Sequence, residues 1–169
     1  GSFSIYAKIK IDADTSDNAD AVIAGEWYAG NNDRNWVLLI KEVDEDEDEY
    51  EYQVQFGLGN DADGGATKTE ILDDTVSLTG GTVYNVIATY DDTNDDVHIY
   101  TYDSDGSNLL NTDPDTWTHA DDINNDSVQF TVGKWSTDAA GFLTGTVYEV
   151  AVYTRELTAA EAEDLAQGD

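Results

Sequence analysis

Alternation of apolar and polar residues with a period of two recurs along most of this chain, and it restricts the fold more than any other feature. In residues 3–11, apolar side chains at the odd positions alternate with mostly polar ones at the even positions. A period of two places one set of side chains on each face of a strand, so the pattern predicts half-buried β-strands. The segments with a strand-like pattern are 3–11, 21–25, 35–43, 50–58, 67–78, 82–92, 96–103, 127–135 and 141–153.

Turn sequences separate these segments. Runs rich in Gly, Asp, Asn and Thr stand at 59–65, 79–81, 91–96 and 103–108. The single proline, Pro114, falls in another such run, as a sheet requires, because proline cannot donate to a strand ladder. Many short strands at regular spacing predict an all-β sandwich of two antiparallel sheets.

One helix is expected, at the C-terminal end. Thr158 is a suitable N-cap, and Glu161, three positions later, completes a capping box before Ala162 and Leu165. We expect Leu157 and Leu165 to hold this helix against the sandwich. Residues 1–169 are expected to form one domain, and because Gly1-Ser2 looks like a cloning remnant, we expect it to be excised from a larger protein.

The charge of the chain excludes several classes of partner. The net charge is −30, from 37 acidic residues against 7 Lys and Arg. Nucleic acids and anionic membrane surfaces are poor partners, since little positive charge is available to neutralise phosphates. The chain has no cysteine, which excludes disulfides and thiolate sites, and no apolar run is long enough to insert into a bilayer.

The same charge predicts a high-salt environment. Asp outnumbers Glu, Lys is scarce and small residues are common, as in proteins of extreme halophiles. Self-repulsion at this charge opposes folding in dilute buffer and is screened where the Debye length falls to about 3 Å, near 1 M salt. Hydrated K⁺ and Na⁺ ions are the expected partners of the acidic surface. The alternative is a mesophilic acidic domain that binds many cations.

Three stretches carry a family resemblance. "VYNVIATYDDTNDDVHIYTYDSDG" (83–106) looks like a family hairpin, "VQFTVGKW" (128–135) like the strand after it, and "GFLTGTVYEVAVYTRELTAAEAEDL" (141–165) like the family ending. The chain therefore resembles a laminin-G-like domain of the concanavalin A-like lectin/glucanase superfamily. The resemblance implies a jelly-roll sandwich of two large antiparallel sheets, one of them concave. The matching positions of the ending are Gly145, Val147, Glu149, Val150, Val152, Tyr153, Arg155, Leu157, Thr158 and Glu161.

The resemblance has one departure. The family commonly has Asp before the Glu of the last strand, often near structural calcium, whereas this chain has Tyr148. The resemblance therefore does not imply a calcium site of the family kind there. Arg155, one of two arginines, is expected to have a structural role through a buried carboxylate such as Glu149.

Catalysis is the less favoured reading of the acidic run 44–49. Laminarinase-type relatives cleave glycans with two carboxylates on one strand, and "EVDED" (42–46) approaches their spacing but ends in Asp46. The flanking strand patterns predict that 44–49 is a six-residue hairpin loop whose carboxylates are solvated. We therefore expect no catalytic residues, with a glycoside hydrolase as the alternative.

A mixture of aromatic and polar residues marks the candidate ligand site. Sugar sites stack aromatic rings on the sugar and hydrogen-bond its hydroxyls, and the stretch 26–36 offers both kinds of side chain around a glycine. Trp36 fits the core pattern of its strand and is assigned there. Burial in the core is the alternative for the other tryptophans. The candidate ligand-binding residues are Trp27, Tyr28, Asn31, Asn32, Asp33, Arg34, Trp117, which is expected in a loop, and Trp135.

The candidate metal site is the turn "DSDG" (103–106). Asp103 and Asp105 supply the beginning of a calcium loop, but the distal Glu of such loops is missing. Calcium is therefore considered at these two residues, with an ordinary turn as the alternative.

These observations favour a non-catalytic recognition module of a halophilic extracellular, cell-surface or virion protein. Its expected partner is a glycan or glycoprotein surface. The alternative is a structural or protein–protein interaction domain without a sugar site, and a small glycan hydrolase comes third.

Overall fold

The computed structural model describes residues 1–12, 20–28, 33–46, 49–60, 68–111, 117–119, 123, 127–135 and 141–168. Within these ranges the chain forms eleven strands and one helix. They are β1 (Phe3–Ile11), β2 (Asp20–Tyr28), β3 (Asp33–Asp46), β4 (Glu49–Gly59), β5 (Lys68–Leu72), β6 (Leu78–Thr79), β7 (Val83–Asp91), β8 (Asp96–Tyr102), β9 (Trp117–Thr118), β10 (Phe130–Val132), β11 (Gly145–Tyr153) and α1 (Ala159–Gln167).

The strands form two antiparallel sheets, which confirms the predicted jelly-roll sandwich. One sheet has the order β11-β1-β7-β8-β9; the other has the order β10-β2-β3-β4-β5, with β6 added beside β4. The N-terminal strand therefore lies between β7 and the last strand of the chain.

The core lies between the two sheets and follows the predicted alternation. In β1 the residues Ile5, Ala7, Ile9 and Ile11 are fully buried, in agreement with the sequence pattern. Trp36 is buried in the same core, as predicted, and its ring centroid lies 6.0 Å from that of Phe3. Burial of this apolar surface is the main term that stabilises the sandwich.

The acidic run differs from its prediction. Instead of a six-residue loop, the ladder between β3 and β4 continues through Asp44–Glu51, Glu45–Tyr50 and Asp46–Glu49. A register shift after Glu42 precedes these pairs. Acidic residues placed directly opposite each other destabilise a ladder in water, so this end of the hairpin depends on screening.

Two other predictions are corrected. Trp117 was expected in a loop, but Trp117–Thr118 forms the short strand β9 beside β8. Arg155 was expected to pair with Glu149, but its Nη2 lies 2.7 Å from Glu161 Oε1. Glu149 and Glu161 are equally distant from Arg155 in sequence, but Glu161 is already held by the helix cap, so this pair costs little further ordering.

Helix α1 packs on the outer face of the five-stranded sheet. The predicted capping box is present: Glu161 N–H donates to Thr158 Oγ1, and Thr158 N–H donates to Glu161 Oε2. Leu157 is buried, Leu165 is half-buried, and both pack into one cluster as expected. Within the described residues, no helix is long and apolar enough to cross a membrane.

Candidate functional site

The candidate site lies on the face of the six-stranded sheet that points away from the core. Alternate residues of a strand point to opposite faces. Leu38 and Ile40 join the main core, while Val37 and Leu39 join a second cluster with Val22. This second cluster also holds Trp27, and Trp135 packs against it. Two of the candidate tryptophans are thus brought together on one sheet face.

Trp27 forms the floor of the site. A Cβ added at Gly57 of β4 would lie 3.4 Å from Trp27 Cη2 and 2.9 Å from Val37 Cγ1, so the indole reaches from β2 across the sheet to a glycine. Glycine inside a strand often marks such a close approach. The ring is only 4% exposed. The expectation of a solvent-facing Trp27 is therefore corrected: this side chain supports its neighbours.

Arg34 and Trp135 are the more accessible members of the site. Arg34 is the ladder partner of Trp27, and its guanidinium carbon lies 5.8 Å from the Trp27 ring centroid. That distance is within the range of a cation–π interaction. The Trp135 ring centroid lies 6.5 Å from that of Trp27, and both Arg34 and Trp135 are half-buried.

The backbone near residue 141 fixes Trp135. Gly141 has φ +67°, and a Cβ at this position would lie 2.0 Å from Trp135 Nε1. The Leu143 N–H donates to Gly133 O at 3.0 Å and thereby links the end of β10 to the approach to β11. The indole of Trp135 consequently stands between Gly141 and Trp27.

Of the remaining candidate residues, one lies in the other sheet and the others fall wholly or partly outside the described part of the structure. Trp117 lies in β9 of the other sheet, opposite Val97. Tyr28 and Asp33 pair in the β2–β3 ladder beside the site, but their side chains lie outside the described part of the structure. Asn31 and Asn32 lie outside the described residues altogether.

The two carboxylates of the DSDG turn (103–106) accept hydrogen bonds from residues just after the turn. Asp103 Oδ1 accepts the Asn108 N–H at 3.3 Å, and Asp105 Oδ1 accepts the Ser107 N–H at 3.0 Å. Hydrogen bonds from Ser107 lower the pKa of Asp105. Across the described ranges, no group of three or more His, Cys, Asp or Glu side chains is arranged to hold a metal ion.

A polar cavity of about 610 Å³ beside α1 was not predicted. Tyr6, Lys8 and Glu149 line it from the sheet, and Asp105 and Gln167 line it from the loop and the helix end. Burial, and secondarily Glu149, raises the pKa of Tyr6. The Tyr6 hydroxyl donates to Asn85 Oδ1 at 3.0 Å, so it is committed to the fold. Sequence patterns could not reveal this cavity, since it depends on where the helix docks.

Comparison with solved structures shows the fold. The CBM40 of the Ruminococcus gnavus IT-sialidase, bound to α2,6-sialyllactose, matches with TM-score 0.66 and 18% identity over 98% of this chain and 82% of that one. A candidate carbohydrate-binding protein from Bacteroides ovatus matches with TM-score 0.63 and 15% identity over 96% of this chain but 40% of that one. The heptameric SAP-like pentraxin of Limulus polyphemus matches with TM-score 0.59 and 14% identity over 98% and 69%.

These likenesses establish a jelly-roll sandwich shared with carbohydrate-binding domains. At such low identities they carry no ligand or residue role. No protein-family model and no curated protein matches the sequence.

Proposed function

We propose that this domain is a non-catalytic glycan-recognition module whose ligand contacts Arg34 and Trp135. The observation that carries the proposal is the placement of the Arg34 guanidinium and the Trp135 indole around the buried Trp27 ring. An aromatic face and a fork of N–H donors are the two contacts that sugar rings and acidic sugars need. A buried floor that holds both side chains reduces the entropy lost on binding.

The favoured ligand class is an acidic glycan. A guanidinium binds a carboxylate through two parallel hydrogen bonds, which no other side chain of this site offers. The CBM40 structures, of the same sandwich fold, are bound to sialyllactose. The net charge of −30 repels an acidic ligand at low ionic strength, so binding should strengthen as salt screens the domain.

A glycan array in about 3 M KCl tests this proposal under conditions of strong screening. Sialyllactose and lactose are the matched probes, because they differ by the acidic sugar. Arg34→Ala should abolish the preference for sialyllactose, and Trp135→Ala should weaken binding of any bound glycan. Lys10→Ala removes a positive charge from the other sheet and should leave binding unchanged. A folded sample that binds no glycan would contradict the proposal.

The second candidate is a protein-interaction domain without a sugar site. Burial of Trp27 and Trp36 favours it, since neither ring offers a free face to a sugar. In that case the glycan array shows no binding, and Arg34→Ala does not change this result.

The family of the domain and the environment in which it works are also proposals. We propose that the domain belongs to a laminin-G-like family and works at a cell or virion surface in molar salt, as part of a longer chain. Acidic side chains spread over the sequence support the high-salt environment, with hydrated K⁺ and Na⁺ as counterions. Calcium at Asp103 and Asp105 stays a prediction; a melting temperature raised by Ca²⁺ and unaffected by equal Mg²⁺ would support it.

A further inference from the structure

Most of the exposed large apolar side chains lie on one side of the sandwich. Within the described residues, seven large hydrophobic side chains are exposed, and five of them lie on β10, on β11 or just before β11. We call these five the open edge: Phe130 (43% exposed), Val132 (44%), Phe142 (51%), Tyr148 (55%) and Val152 (46%). The other two, Val43 and Leu109, lie elsewhere. Clustering of this kind marks an interaction surface, whereas scattered apolar residues do not.

The open edge is one surface because both sheets end there. Among the described residues, β10 pairs with β2 alone and β11 with β1 alone, so each is the outermost strand of its sheet there. The segment between them is tied to both sheets: Gly141 O accepts the Val22 N–H, and Thr144 O accepts the Asp12 N–H. Val152 of β11 lines a gap between the layers, and Phe130 of β10 packs against Trp36, which lines the same gap.

The core continues into this gap. A cavity of about 480 Å³ opens between the sheets and is lined by Phe3, Trp36 and Val152, among others. The Phe130 ring centroid lies 5.9 Å from that of Trp36, which is itself buried. Apolar side chains that would be covered in a closed sandwich are left in contact with solvent.

The open edge is also the part of the chain with little charge. Residues 127–135 and 141–153 contain one acid, Glu149, and one base, Lys134, so their net charge is zero. The rest of the chain holds 36 acids (37 − 1) and 6 bases (7 − 1), which gives −30. Because the rest of the chain carries all of the net negative charge, the open edge is where two copies can approach with least repulsion.

The backbone of β11 argues against simple continuation of the sheet from one copy to the next. Lys8 pairs with Glu149 and Ile9 with Val147, so Tyr148 is the extra residue of a β-bulge. Bulges on an edge strand interrupt the row of groups that a further strand would bind. Contact through side chains is therefore favoured over strand addition.

We propose that two copies of this domain form a homodimer through the open edge, around a two-fold axis. A two-fold axis brings the same patch of both copies together, so one uncharged apolar surface is sufficient. Salt stabilises the dimer by screening repulsion between the two acidic bodies. The surface does not include Arg34 or Trp27, so the dimer goes beyond the proposed glycan recognition.

Sedimentation velocity in about 3 M KCl, from micromolar to sub-millimolar protein, tests the proposal under full screening. The wild type is expected to be a dimer, and the double variant Phe142→Asp/Tyr148→Asp a monomer. Leu109→Asp is the matched control, because Leu109 is 41% exposed and lies beside β8, away from β11. This control should remain dimeric. Circular dichroism checks that each variant is folded.

If the Asp variant does not fold, Phe142→Ser/Tyr148→Ser replaces it and should weaken dimerisation at least about tenfold, which corresponds to about 1.4 kcal/mol. A wild type that is monomeric throughout the range overturns the proposal. So does a dimer that survives substitution of the open edge, or one that Leu109→Asp disrupts equally.

Discussion

Ser4 and Leu157, 153 positions apart, share a hydrogen bond that joins the first strand to the start of the helical segment. The Leu157 N–H donates to Ser4 Oγ at 2.9 Å, and the same hydroxyl donates to Arg155 O at 3.0 Å. Ser4 is fully buried and Leu157 is 3% exposed, so no water can replace these bonds in a substituted chain.

Ser4→Ala is therefore expected to destabilise the domain by about 1–3 kcal/mol, the cost of an unsatisfied buried backbone donor. Chemical unfolding in molar KCl measures the change. Ser2→Ala is the control, because Ser2 caps an exposed turn through the Asp92 N–H, and its loss should cost less than about 0.5 kcal/mol. Equal effects of the two variants would show that the Ser4 bond is not stabilising.

Asn111 has a comparable role at the other side of the sheet. Its buried side chain accepts the Thr101 N–H at 3.1 Å and donates to Ile99 O at 2.6 Å, so it replaces a strand beside β8. Asn111→Ala should cost about 1–3 kcal/mol or more, since two backbone groups lose their partner. Asn108→Ala, in the exposed turn, should change the free energy of unfolding far less. A small effect at Asn111 would mean that another group takes over both bonds.

Protonation of Glu161 is expected to make the helix cap sensitive to acid. The hydrogen bond from Arg155, and then those from Thr158, lower the pKa of Glu161 from 4.5 to about 2. Because the folded pKa is lowered, the stabilising effect is complete above about pH 4.5 and is lost as the pH falls towards 2. The stability difference between wild type and Glu161→Gln should follow this course in unfolding experiments at fixed salt. Glu163→Gln, on the same helix, is the matched substitution, because Glu163 accepts a hydrogen bond from Gln167 instead of from Arg155 and Thr158.

Gly141 provides a test of how Trp135 is held. Gly141→Ala should force the indole away from Trp27, because the new Cβ would lie 2.0 Å from Trp135 Nε1. Gly133→Ala is a matched control: Gly133 also has a positive φ, +76°, but no atom lies within 4 Å of an added Cβ. In a background of Trp117→Phe, Trp135 is the half-buried tryptophan beside the buried Trp27 and Trp36, and the summed emission should shift to longer wavelength only in the Gly141 variant. The same shift in both variants would point to backbone strain instead.

The dependence of the melting temperature on salt tests the proposed high-salt environment. The melting temperature by circular dichroism should rise steeply between about 0.1 M and about 3 M KCl as repulsion among the acidic residues is screened. The ladder of Asp44–Glu51 and Asp46–Glu49 should respond most, and amide exchange in β3 and β4 would report it. A melt that does not change over this range would contradict the high-salt proposal.

The sequence predicted those parts of the fold that local chemistry determines. Alternation identified the long strands, because each presents one face to the core, and the Thr158–Glu161 capping box depends only on residues three positions apart. The two-residue strand β9 was missed because pairing with Val97, not its own pattern, creates it. Arg155 was given the wrong partner, since the choice between Glu149 and Glu161 depends on where the helix begins.

Three of the candidate site residues lie close together in the structure, but their arrangement was not predicted. Trp27, Arg34 and Trp135 do come together, yet Trp27 is buried beneath the others. The glycine at position 57 was the available signal, because a glycine inside an otherwise apolar strand indicates close contact with a large neighbour. Trp27 and Trp135 are far apart in the sequence, so no local pattern could predict their contact.

The position of β1 has a consequence for synthesis. Ile5 pairs with Ala88 on one side and with Val152 on the other. One side of the first strand has no partner until β11 has left the ribosome, so the five-stranded sheet cannot be completed before that point. Contacts this distant in sequence also form slowly. We therefore expect the domain to fold only after β11 has been synthesised, with β1 lacking one of its two neighbouring strands until then.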